Sequence, residues 1–138
     1  MKLLLDTHIW LWSLLEPRKL SRRVLQALES PSNELWLSPV STWEFFLLAR
    51  KKRIVLDADP GQWLKEATAA APMREAAFTH QVAVESGNLE LPHQDPADHF
   101  IVATARVFDL TLVTADEALL QSRAVRMLSN RARSRLSE

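Results

Sequence analysis

The chain contains no cysteine. Disulfides and zinc–thiolate centres are therefore excluded, and any metal must be held by oxygen or imidazole. The lack of thiols suits a reducing compartment. Glycine occurs only twice. Neither a GxGxxG turn nor a P-loop is present, which argues against a nucleotide cofactor. Long apolar runs are missing as well. The opening Met1-Lys2-Leu3-Leu4-Leu5 is interrupted by Asp6 and His8, with no small-residue cleavage site after it. No stretch approaches the length of a membrane span. The expectation is a cytoplasmic protein without membrane association. Excess charge is also absent: 17 basic residues face 17 acidic ones. A bulk polycation that coats nucleic acid is ruled out.

What is present suffices for one compact core. The 138 residues are 47% apolar and include five tryptophans. That length suits a single domain, and disorder is excluded. Charge is unevenly placed. Arg50, Lys51, Lys52 and Arg53 form one basic block, and Arg123, Arg126, Arg131, Arg133 and Arg135 crowd the C-terminus. Such clusters either meet phosphate or form a solvated face and a loose tail. The domain boundary is placed at residue 128, with a basic tail over 129–138.

Short apolar runs predict buried strands over 2–5, 35–37, 110–113 and 124–128, and a weaker one over 75–79. Helical spacing predicts helices over 20–28 with Ser21 as cap, 41–49, 63–70 and 98–108. Residues 92–96 carry two prolines and read as a loop. Strands alternating with helices imply an α/β fold: a central parallel sheet with helices on both faces.

In such sheets, sites form beyond the carboxyl ends of strands. Asp6 ends the first strand and Asp116 follows the strand over 110–113. Glu44 lies in the first turns of the helix after the second strand, and Asp98 at the start of a later helix. Converging carboxylates repel one another, and burial worsens the repulsion. A hard divalent cation, Mg²⁺ or Mn²⁺, offsets it and can activate water against a phosphodiester. Each residue has a plainer reading. Asp6 could cap the next helix, and Glu44 could be an exposed first-turn acid. Asp95 and Asp98 both suit a cap, and Asp116 suits a turn.

The motifs themselves resemble a known family. Leu3-Leu4-Leu5-Asp6-Thr7-His8 is similar to the opening of PIN domains. Ser38-Pro39-Val40-Ser41-Thr42-Trp43-Glu44 resembles their second motif, and the segment from His93 through Asp95-Pro96-Ala97-Asp98 to Ala105 their third. Leu112-Val113-Thr114-Ala115-Asp116 resembles the fourth. The likeness runs from Met1 to Leu128 and is greatest to VapC-type toxins of bacterial toxin–antitoxin pairs. It implies a three-layer sandwich, Mg²⁺ or Mn²⁺, RNA cleavage, self-association as a homodimer and inhibition by a small antitoxin. It also implies Asp6, Glu44, Asp98 and Asp116 as the catalytic, metal-holding set, supported by Thr7, Thr114 and Asp95. Two departures stand out. His99 occupies a position where many relatives carry Arg, and Lys51-Lys52-Arg53 stands where relatives often have a glycine turn.

Other readings are weaker. The four histidines form no HxxxH or HExxH pair, which argues against zinc. A phosphoacceptor module needs an acidic pair after the first strand and a lysine after the last, and neither is present. A catalytically inactive PIN-like RNA- or protein-binding module leaves the acidic quartet unexplained. Trp10 is expected mainly in the core. Trp12 is divided between core and an interface groove.

Overall fold

The computed structural model describes residues 1–92 and 95–131. Five parallel strands form one sheet: β1 (Lys2–Leu5), β2 (Glu34–Leu37), β3 (Arg74–Glu75), β4 (Thr111–Thr114) and β5 (Met127–Ser129). Their spatial order is β3-β2-β1-β4-β5. Seven α-helices join them among the described residues: α1 (Thr7–Leu15), α2 (Arg22–Glu29), α3 (Pro39–Arg50), α4 (Pro60–Ala70), α5 (His80–Gly87), α6 (Pro96–Val107) and α7 (Glu117–Ser122). None is long and apolar enough to cross a membrane.

Alternation along β1 sets the layers. Leu3 and Leu5 point to one face, where Ile9, Trp10, Val24 and Phe45 cover them. Leu4 points to the other, against Val82, Ile101 and Val102. Helices α1 to α4 therefore pack on one side and α5 to α7 on the other. The expected α/β sandwich is the one found. Each fully buried leucine of β1 contributes roughly 1.5–3 kcal/mol.

The helices begin where their caps dictate. Ser21 Oγ accepts from Val24 N at 3.2 Å, as expected. Ser38 caps α3, with Pro39 at its first position, so this helix starts ahead of residue 41. Asp59 similarly starts α4 at Pro60.

Four strand boundaries differ from expectation. The second strand opens one residue early, at Glu34, which pairs with Lys2. The run 75–79 yields only Arg74–Glu75, because Thr79 is taken as the cap of α5. The fourth strand runs over Thr111–Thr114, since Leu110 N is held by Ala105 O at 2.8 Å in the turn that ends α6. The last strand is Met127–Ser129. Arg123 adopts the left-handed conformation that ends α7, and the chain reaches the sheet edge only afterwards. Helix α5 escapes sequence reading because its apolar positions trace no clean face, with Val84 exposed, and α7 because six residues are too few to declare a period.

The tail expected over 129–138 begins inside the sheet. Ser129 closes β5, and Asn130 binds Ser21 N and Lys19 O. Residues 132–138 lie outside the described residues, as do His93 and Gln94 of the expected 92–96 loop.

Candidate active site

The strand order places a crevice between the carboxyl ends of β1 and β4. The chain runs from β1 outward to β2 and β3, then returns to β4 on the opposite side. Helices leaving β1 and β4 diverge at such a switch point. Asp6 follows β1 directly, and its N–H continues the ladder to Val113 O at 3.0 Å. It occupies the N-cap position of α1, yet its side chain makes no cap hydrogen bond. The carboxylate instead accepts from Thr114 Oγ1 at 2.7 Å. The plainer reading of Asp6 as a cap therefore does not hold. The Thr114 hydroxyl in turn accepts from Asp116 N at 3.1 Å.

Glu44 arrives from the other side. Because α3 begins at Pro39, Glu44 lies in its second turn, not its first. It is half-buried, and Thr7 Oγ1 donates to its Oε1 at 2.5 Å. Ser41, fully buried one turn before Glu44, places its Oγ 2.8 Å from the same Thr7 hydroxyl. The reading of Glu44 as an exposed dipole-favoured acid falls with this geometry.

The third motif divides its two acids. Asp95 caps α6, accepting from Ala97 N at 3.0 Å, and Pro96 fills the first helical position. Asp98 sits in the first turn. Asp116 caps α7 through Leu119 N at 3.0 Å. It is thus a cap, as its plainer reading held, and it also faces the crevice.

These residues line one cleft of about 270 Å³: Asp6, Glu44, Asp95, Asp98 and Asp116, with His8, Trp12 and Ala115 completing its walls. Its electrostatics follow from crowding. Burial, joined by the charges of Asp6, Asp95, Asp116 and Glu44, pushes the Asp98 carboxyl from an ordinary 3.8 up to about 8. Burial also raises Asp6, with the Thr114 hydrogen bond opposing it. Glu44 is raised by burial too, against the Thr7 hydrogen bond. His8 favours the ionised form of both.

A larger cleft of about 390 Å³ lies over β2 and β3, lined by Trp10, Pro39, Thr42, Arg74 and Glu75 among others. It brings no acidic cluster together, so size does not mark the chemistry. His99 is absent from the walls of the acidic cleft. Sequence reasoning missed His8 and Ser41. The signals were local: His8 stands two residues after Asp6, and Ser41 stands at i−3 from Glu44, on its helix face.

A family model described as PIN domain matches residues 3–125. The chain belongs to the PIN-domain family. Among curated relatives, this PIN domain is 36% identical over 123 residues to Ribonuclease VapC22 of Mycobacterium tuberculosis, spanning 87% of this chain and 91% of that one. Its fold is similar to a chain in the crystal structure of VapBC2 from Rickettsia felis bound to a promoter DNA fragment. That match has a TM-score of 0.71 at 16% identity, over 94% of this chain and 98% of the other. A toxin–antitoxin complex from Klebsiella pneumoniae matches with a TM-score of 0.66 at 21% identity, over 93% and 97% of the two chains.

Proposed function

We propose that this PIN domain is an endoribonuclease, the toxin of a type II toxin–antitoxin pair, hydrolysing RNA phosphodiester bonds with Mg²⁺ or Mn²⁺. The single observation carrying the reading is an acidic quartet gathered at one cleft in a chain 36% identical to a ribonuclease over most of both lengths. The nuclease unit extends through Ser129 of β5 and the Asn130 contacts, so its boundary falls after residue 130 and not at 128.

The donor set suits a hard divalent cation. All the acidic groups are carboxylates, and burial together with four neighbouring carboxylates raises the Asp98 carboxyl. Among the described residues, no three His, Asp or Glu side chains form a ready-made metal-holding group. A bound magnesium would draw its protein ligands from these carboxylates and fill its remaining positions with water and substrate phosphate. Asp6, Glu44, Asp98 and Asp116 would hold it. When bound, the ion supplies charge neutralisation and activation of water at neutral pH.

The remaining work falls to the chain itself. Thr114 fixes the rotamer of Asp6, and Thr7 fixes that of Glu44, so both carboxylates meet a substrate without reorganising. Asp95 holds the N-terminus of α6 in place and adds to the field on Asp98.

The reading includes a homodimer and a small antitoxin as partners. Trp43 and Phe46 on α3, 57% and 38% exposed, are large apolar surface that such contacts would cover. The test is cleavage of total RNA by the purified chain with and without Mg²⁺, with Asp98→Asn as control. RNA cut only by the unaltered chain, and only with metal, is the expected result. Equal cutting by Asp98→Asn would sink the assignment.

A further inference from the structure

The acidic cleft repels its own proposed substrate. Five carboxylates line it, while RNA carries a phosphate charge at every nucleotide. The strand must therefore be gripped beside the cleft, by cations for its phosphates and by flat surfaces for its bases. A neighbouring cleft of about 300 Å³ offers both. It shares His8 and Trp12 with the acidic cleft, and adds Lys19 and Arg53 over an apolar floor of Leu11 and Leu48.

The shared pair forms the wall between the two clefts. His8 and Trp12 lie one turn apart on α1, with ring centroids 5.9 Å apart and planes tilted by 57°. Lys19 Nζ stands 5.5 Å from the Trp12 ring centroid, on the side of the second cleft. Glu16 also lines that cleft and holds Lys19 at 3.3 Å. Both members of this ion pair are exposed, so the contact is weak enough for a phosphate to displace. Arg53 reaches the same space from the turn after α3. The larger cleft over β2 and β3 is a poorer candidate. It shares no wall with the acidic cleft, and its one cation, Arg74, pairs with Glu34 at 3.6 Å.

We propose that His8 and Trp12 form a base-stacking wall for the nucleotide next to the scissile phosphate, while Lys19 and Arg53 hold the following phosphate in the second cleft. The inference rests on the ribonuclease reading. It fixes the direction in which single-stranded RNA leaves the acidic cleft. It also makes the contact tolerant of base identity, since every base offers a π-face.

The experiment uses the full chain, Mg²⁺ and a labelled single-stranded RNA oligonucleotide. Trp12→Leu keeps apolar bulk but removes the ring; it should raise KM about tenfold with kcat nearly unchanged. Trp12→Phe keeps a ring and should restore most of the loss. Replacing both Lys19 and Arg53 with Ala should lower the slope of log KM against log salt by about 0.7, one phosphate contact's worth. The unaltered chain is a separate arm: if it cleaves no RNA, the ribonuclease reading fails and takes this one with it. If it cleaves and Trp12→Leu keeps its KM, the stacking wall is overturned while the ribonuclease stands. An unchanged KM together with escape from inhibition by a small neighbouring-gene protein would also overturn it, and would assign the surface to that protein. Should Trp12→Leu fail to fold, the exposed Lys19 and Arg53 decide: an unchanged salt slope overturns the proposal.

Discussion

Thr114 Oγ1 donates a hydrogen bond to Asp6 Oδ2 at 2.7 Å, joining residues 108 positions apart. The bond exists because β1 and β4 are neighbours, with Leu5 opposite Val113. It favours the ionised form of a buried carboxylate. Thr114→Val keeps the shape and removes the donor. It should cost about 2 kcal/mol at neutral pH, the usual range for a hydrogen bond to a charged group. Without the bond the folded-state pKa of Asp6 rises further, so the loss should shrink in acid. Urea denaturation at two pH values checks this; equal losses at both would show that the bond does not bias Asp6.

The Asp98 carboxyl, raised from 3.8 to about 8, gives the metal-free protein a defined pH dependence. Between those values the folded state keeps a proton that the unfolded chain has released. Stability from this group is complete below about pH 4 and is lost as pH rises toward about 8. Burial of Asp6 and Glu44 acts in the same direction. The metal-free melting temperature should therefore fall from mildly acidic to mildly alkaline pH. Millimolar Mn²⁺ or Mg²⁺ should raise it at neutral pH and do less in acid, where protons compete for the carboxylates. A melting temperature indifferent to metal at every pH would contradict the proposed site.

Asp95 and Asp98 stand three residues apart and should respond differently. Asp98→Asn removes a charge from the most crowded position. It should abolish RNA cleavage, leave the fold intact and raise metal-free stability at alkaline pH. Asp95→Asn keeps the cap to Ala97 N, since an asparagine oxygen accepts equally well. Most activity should remain. Its charge also acts on Asp98, so the alkaline destabilisation should lessen. Paired cleavage assays and thermal melts decide; an inactive Asp95→Asn beside an active Asp98→Asn would exchange their roles.

Lys52 adopts φ 57° in the turn after α3. Lys52 N binds Ala49 O and Arg53 N binds Leu48 O, the paired bonds of a Schellman turn. A side chain in this left-handed position is strained. Lys52→Gly should raise stability by about 0.5–1 kcal/mol, the relief of strain less the entropy glycine adds to the unfolded chain. Lys52→Val should lower it, because a branched Cβ is worst there. Equilibrium denaturation of the two variants measures the difference, and a destabilised Lys52→Gly would refute the strain.

Much of the architecture was legible in the chain. Leu3-Leu4-Leu5 could only be a buried strand, and the acid after it had to fall at a sheet edge. Ser21 declared its helix by its own chemistry. Short elements stayed hidden. Helix α5 leaves Val84 59% exposed, so its apolar positions trace no clean face. The two-residue β3 exists through pairing with β2.

By itself the sequence determined which acids stand at strand and helix ends, because turn and cap chemistry act over a few residues. It left open which of them would cap and which would turn into a shared cleft. Tertiary structure decided that. Asp6 keeps the N-cap position but makes no cap hydrogen bond, because Thr114 lies beside it across the sheet and donates to its carboxylate. Glu44 is aimed by a threonine 37 residues away. The raised Asp98 carboxyl depends on burial and on Asp6, Asp116 and Glu44, three carboxylates brought from separate elements. Hydrogen bonds and repulsion act through distance in space, and only the strand order β3-β2-β1-β4-β5 converts these sequence separations into contacts.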